Sequence, residues 1–152
     1  MTSLTRDAAP SERSAALARL GPATHALLRI GAALLFMQHG LQKLFGMFGG
    51  FGGTPGDTAP LWSQMGLAGV LETFGGLLLL LGLFTRPVAF LLAGEMLVAF
   101  IQAHLPRGRV PLENGGEVPL LYMLVYLFLL GNGAGPASLD ARRRRGRAGI
   151  AG

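Results

Sequence analysis

The chain has 152 residues, of which 51% are hydrophobic and only 14% charged. A soluble domain carries about 25% charged residues, so this balance points to a protein embedded in lipid. With no cysteine, the chain itself cannot form a disulfide, a thiolate nucleophile, a Cys-ligated zinc site or an iron–sulfur cluster. The net charge of +5 comes from arginines gathered at the two ends, above all Arg142-Arg143-Arg144-Arg145-Gly146-Arg147. Beside long apolar runs such a cluster is a topology signal and secondarily an anionic-lipid contact, not a nucleic-acid surface.

Residues 1–22 read as a polar, Ala-rich segment carrying Arg6, Arg13 and Arg19. The apolar run that follows ends in no small-residue cleavage site, so it reads as an uncleaved first span, from about Thr24 to Phe45. It closes in FMQHGLQKLFG, where Gln38, His39, Gln42 and Lys43 crowd the last two turns. The Gly/Pro-rich stretch from Gly46 to Pro60 cannot be helical throughout. A second span runs from about Leu61 to Phe84. It carries Gly66, Gly69, Glu72, Gly75 and Gly76 at helical spacing, a pattern that permits close helix approach in lipid and turns Glu72 into the bundle.

Thr85-Arg86-Pro87 reads as a tight turn, with Pro87 opening a third span that continues to about Leu105. An irregular loop from Pro106 to Pro119 leads into a short fourth span, from Glu117 to Gly131, which ends in GNGAGP. The predicted fold is an all-α integral membrane protein, a four-transmembrane-helix bundle. Residues 23–140 form its membrane domain and residues 141–152 a basic tail. The Lys/Arg bias puts the N-terminal segment, the Arg86 turn and the tail on one side. Both termini are then cytoplasmic, in a multi-pass protein of the inner (plasma) membrane.

In that orientation Gln38, His39, Gln42, Lys43, Glu72, Gln102, His104 and Glu117 fall in the outer half of the membrane. Glu95 lies near mid-depth and Arg29 on the inner side. A charge exposed to lipid at mid-membrane is costly, so such residues pair inside the bundle or line a wet cavity. Glu72 or Glu117 is the natural partner of Lys43, and His39 shares a helix face with Lys43. Plainer readings stand beside these. Lys43 can snorkel to the interface, Gln42 and His104 can be interfacial, His39 can be a hydrogen-bonded bundle residue, and Tyr122 and Tyr126 can be packing residues. Two histidines without a surrounding motif make a weak case for haem ligation by His39 and His104. No metal site is expected.

Five stretches occurring in order resemble the DoxX family of small four-helix bacterial membrane proteins. They are RIGAALLFMQHGLQKLFG, LETFGGLLLLLGLFTRP, AGEMLVAF, NGGEVPLLY and GNGAGPASLD, spread over about residues 23–140. Asn132 in the terminal Gly-rich turn is a departure from the family pattern. The resemblance implies Arg29, His39, Lys43, Glu72, Glu95 and Glu117 as the family-pattern polar residues. It also implies a redox setting. Some members look like membrane subunits of thiosulfate:quinone oxidoreductase, others associate with a sulfurtransferase and a superoxide dismutase, and distant animal relatives act as assembly factors.

The resulting expectation is a redox-linked membrane subunit that binds a quinone or a small sulfur compound in an outer-half polar pocket. Glu72 and His39 would exchange protons, and Lys43 would stabilise anionic charge. Arg29, Glu95 and Glu117 would position or pair. Having no redox centre of its own, such a subunit needs a redox or sulfurtransferase partner or a diffusible quinone; a homo-oligomer is also compatible with its exposed surface. The rival readings are a non-enzymatic membrane scaffold for partner proteins and, third, a small-solute pathway.

Overall fold

Helix begins earlier than hydropathy predicts. In the computed structural model, which describes residues 12–149, helix α1 spans Glu12–Phe45. Its first turns, rich in alanine and leucine, have high helix propensity without being lipophilic. Pro22 lies inside α1 and removes one donor from its ladder. The expected start at Thr24 therefore moves back to Glu12, while the apolar portion runs from Leu20 to Phe45. Residues 1–11 of the expected polar segment and residues 150–152 of the expected tail lie outside the described residues.

Helix α2 spans Gln64–Leu81 and α3 spans Thr85–Arg107. Each is interrupted once by a π turn, at Leu71–Gly75 and at Phe100–His104. Ser63 caps α2 by accepting from the Gly66 N–H. The expected turn at Thr85–Pro87 lies three residues earlier. Gly82 (φ 64°) and Phe84 (φ 50°) reverse the chain in left-handed conformations, and Thr85 already starts α3. After a single helical turn at Pro111–Asn114, α4 spans Glu117–Asn132, beginning at the predicted glutamate. Within the expected basic tail, residues 141–148 belong to helix α5, Leu139–Ala148, with Ser138 accepting from the Ala141 N–H as its cap.

The described residues are helical with turns and loops and contain no strand. Three helices, Leu20–Phe45, α2 and α3, are long and apolar enough to cross a membrane, and α4 is apolar but shorter. The glycines of α2 serve several neighbours. A Cβ on Gly69 or Gly76 would press into Leu44 or Met37 of α1, and one on Gly75 would meet Leu92 of α3. From the other side, a Cβ on Gly40 would collide with the Thr73 backbone. Close packing of α1 on α2 requires these small residues. α3 and α4 lie along one another, and the buried core comprises Phe36, Leu79, Leu92, Tyr126 and Leu129 with smaller neighbours.

One end of the bundle is closed by a latch. Arg29 is 1% exposed. Its guanidinium donates to the carbonyls of Leu79 (2.5 Å), Leu80 (2.6 Å), Ala134 (3.0 Å) and Ala137 (2.7 Å). Those oxygens belong to the last turn of α2, where the Leu79 carbonyl also accepts from the Gly82 N–H at 3.0 Å, and to the loop after α4. One turn earlier on α1, His25 donates from Nε2 to the Gly133 carbonyl at 3.0 Å.

Asp140 of α5 completes the latch. Its carboxylate accepts from the Phe84 and Thr85 N–H groups, both at 3.0 Å. A residue distant in sequence thereby caps the N-terminus of α3. Partial burial pushes the Asp140 carboxyl up, but the two N–H groups and nearby Arg144 outweigh it and hold it below the ordinary aspartate value.

Candidate functional site

The polar residues away from the latch meet around one ion pair. Lys43 sits in the last turn of α1, where its carbonyl is held by the N–H of Ala59 at 2.8 Å as the Gly-rich loop folds back. Its ammonium donates to both oxygens of Glu72, at 2.5 and 2.6 Å. Glu72 is 3% exposed and lies within the π turn of α2. Such turns are uncommon and recur at functional sites. Of the two expected partners for Lys43, the structure selects Glu72.

Two cavities share Glu72. The larger, about 570 Å³, is a slot between α2 and α3 that also exposes Lys43, Glu95, Gln64 and Gln102. Gln64 donates its amide to the Gln102 side chain across the far end of this slot. The smaller, about 320 Å³, lies between α1, α3 and α4 and exposes His39, His104 and Tyr122. Met96 and Ala99 line both cavities and stand with Glu72 between them.

Glu95 is the unusual member. Both of its carboxylate oxygens are buried and have no hydrogen-bond partner. A buried polar group without a partner loses its hydration and gains nothing in return, so it needs an explanation. Lys43, the nearby cation lining the same slot, is already engaged at both Glu72 oxygens. The slot therefore holds two carboxyl groups and one ammonium. A molecule bearing an O–H or N–H donor would satisfy Glu95.

The smaller cavity is differently furnished. His104 donates from Nδ1 to the Asn114 carbonyl at 3.0 Å, so the neutral ring has Nε2 as its acceptor. His39 meets Tyr122 edge-on with ring centroids 6.5 Å apart, and Tyr122 stacks on Tyr126 at 5.9 Å. Tyr122 thus lines the cavity as well as packing. Among the described residues, no group of three or more His, Asp or Glu side chains is placed to hold a metal ion.

Of the six expected site residues, His39, Lys43, Glu72 and Glu95 come together. Arg29 does not. It belongs to the latch, with all its partners on the backbone. Glu117 does not either. It is exposed in the first turn of α4, where a carboxylate favours the helix dipole, and lines neither cavity. Gln64 and Met96 were not singled out by sequence reasoning. Gln64 carried a usable signal, since it lies two turns before Glu72 on the same helix.

Apolar helices packed around a buried charge pair and two cavities define a small helical membrane protein. A family model described as DoxX matches residues 24–105, and the chain belongs to the DoxX family. A Haemophilus influenzae protein described as uncharacterized is similar to it, 43% identical over 122 residues that cover 76% of this chain and 87% of that protein. No solved structure matches the chain.

Proposed function

We propose that this protein is a four-span subunit of the inner membrane, both termini cytoplasmic, that binds a quinone or a small sulfur compound between its helices for a redox partner. The observation that carries this reading is the buried Lys43–Glu72 pair facing a slot in which the Glu95 carboxylate has no partner. The latch end, where α5 presents its arginines, is the cytoplasmic end under the Lys/Arg bias. The two cavities then occupy the outer half.

Reducing a quinone to a quinol consumes two electrons and two protons. Because the chain has no cysteine, the electrons come from a partner protein, as its thiol or another reduced sulfur group is oxidised. Lys43 stabilises negative charge developing on a ring oxygen. Glu72 and His39 pass protons toward it. Mass spectrometry of the protein extracted from its native membrane in mild detergent tests the reading. A quinone or sulfur compound should co-purify with the wild type and be lost from Glu72→Gln. A reproducible protein partner with no small molecule would replace this reading with that of a scaffold.

A further inference from the structure

The two cavities differ in what surrounds their openings. The slot is rimmed at mid-helix by Leu67, Leu71, Leu91 and Val98, all exposed on the bundle surface. In a membrane these side chains face lipid. The Gln64–Gln102 bridge joins α2 to α3 beyond Glu72 and Glu95, at the loop end of the slot. Along α3 the slot extends from Leu91 to Ala103, roughly 18 Å at 1.5 Å per residue. That length fits a ring with the start of an alkyl tail.

The smaller cavity instead reaches the end of the bundle. Its lining includes Gly115 of the loop and Val118 of the first turn of α4, together with the two histidines. The groups facing Glu72 come from three helices: Lys43 and His39 from α1, Glu95 and His104 from α3, and Tyr122 from α4. The π turn at Phe100–His104 ends at His104, next to this mouth.

We infer that the bundle has two separate entrances: a lipid-soluble ligand with an O–H or N–H donor for Glu95 enters the slot sideways from the bilayer, while water and protons reach the other face of Glu72 through the histidine-lined cavity. Glu72, with Met96 and Ala99, is the partition. This deepens the proposed function and rests on it for the identity of the ligand; the separation of entrances rests on the cavities alone.

The absence of cysteine makes the test clean, since single cysteines label without background. Leu71→Cys and Val98→Cys report on the slot and Val118→Cys on the other mouth. All three side chains are exposed, so the substitutions leave the core intact. The full chain in proteoliposomes is treated with a charged, membrane-impermeant maleimide and, separately, with a lipid-soluble one. Val118→Cys should react with the charged reagent at least tenfold faster than either slot variant, and the slot variants should react with the lipid-soluble reagent.

A short-tailed quinol should slow labelling of Leu71→Cys and Val98→Cys at least tenfold and leave Val118→Cys unchanged. Adding Glu95→Gln should remove most of that protection. Equal labelling of slot and mouth by the charged reagent would overturn the two-entrance arrangement, whatever the quinol does. Protection at Val118→Cys alone would also overturn it while leaving quinone binding intact. The labelling difference without quinol protection at any position would uphold the separate entrances and refute the quinone reading.

Discussion

Arg29 and Glu95 are both ionisable residues inside a bundle of apolar helices, and their surroundings could hardly differ more. Arg29 uses four of its five N–H donors on backbone carbonyls from two segments. Glu95 has two buried oxygens and no donor for either. The Lys43–Glu72 pair stands between these extremes, satisfied internally and exposed to two cavities. A charge whose hydrogen-bonding capacity is nearly filled by backbone has little capacity left for a ligand. A charge with capacity to spare in a cavity is a weak structural element and a good binding one.

The sharpest way to break that contrast is at Arg29. Arg29→Ala should lower stability by on the order of 5 kcal/mol, because several buried carbonyls lose charge-assisted bonds together. Thermal unfolding in detergent and the steady-state membrane level would report it. Arg29→Lys should recover only part, since an ammonium cannot reproduce the planar fork. A near-normal melt of Arg29→Ala would refute the latch.

Next in size is the ion pair. Lys43→Met alone should destabilise by about 3 kcal/mol, leaving a buried carboxylate without its cation. Lys43→Met combined with Glu72→Leu should melt near the wild type, since apolar replacement of a buried pair is often neutral. The double variant should nonetheless retain no ligand on purification. Retention there would show that the pair is structural only.

A smaller effect is expected at Asp140. Asp140→Ala should cost about 1 kcal/mol, the usual value of a helix cap. The folded carboxyl titrates below the unfolded aspartate value of about 3.9, so its contribution is fully present above that unfolded value and is lost as pH falls through the lower folded pKa. The difference in melting temperature between wild type and Asp140→Ala should therefore be constant from neutral pH down to the ordinary aspartate range and shrink below it. Smallest of all is Glu95→Gln, which should change stability by less than about 1 kcal/mol in either direction. Ligand affinity should fall in this variant, measured by binding to the purified protein.

Much of the fold was legible because the length of an apolar run and the Gly/Pro-rich breaks between runs are local signals. The start of α4 at Glu117 was readable for the same reason. The Lys43–Glu72 pair was readable only as one of two choices, since a charge in a span needs a partner and the sequence offered both Glu72 and Glu117. Arg29 was misplaced because its partners are carbonyls, which every residue carries and no side-chain pattern displays. The capping role of Asp140 was hidden by its separation of 55 positions from Thr85. The π turns left no mark in composition, although one of them holds Glu72. The extra helical turns before Thr24 were missed because hydropathy locates lipid contact, not helix.

The latch also sets an order of events during synthesis. Arg29 enters the membrane with the first span, but its partner carbonyl at Ala134 follows 105 residues later. At roughly 5–20 residues per second, the ribosome needs about 5–20 s to make that partner. Throughout that interval a guanidinium in the first span has no native carbonyl from the final loop to bind, and the cap for α3 does not yet exist. The bundle can close at this end only when its last segment arrives, so a nascent chain that stalls before Ala134 leaves Arg29 with only the Leu79 and Leu80 carbonyls of α2 as partners.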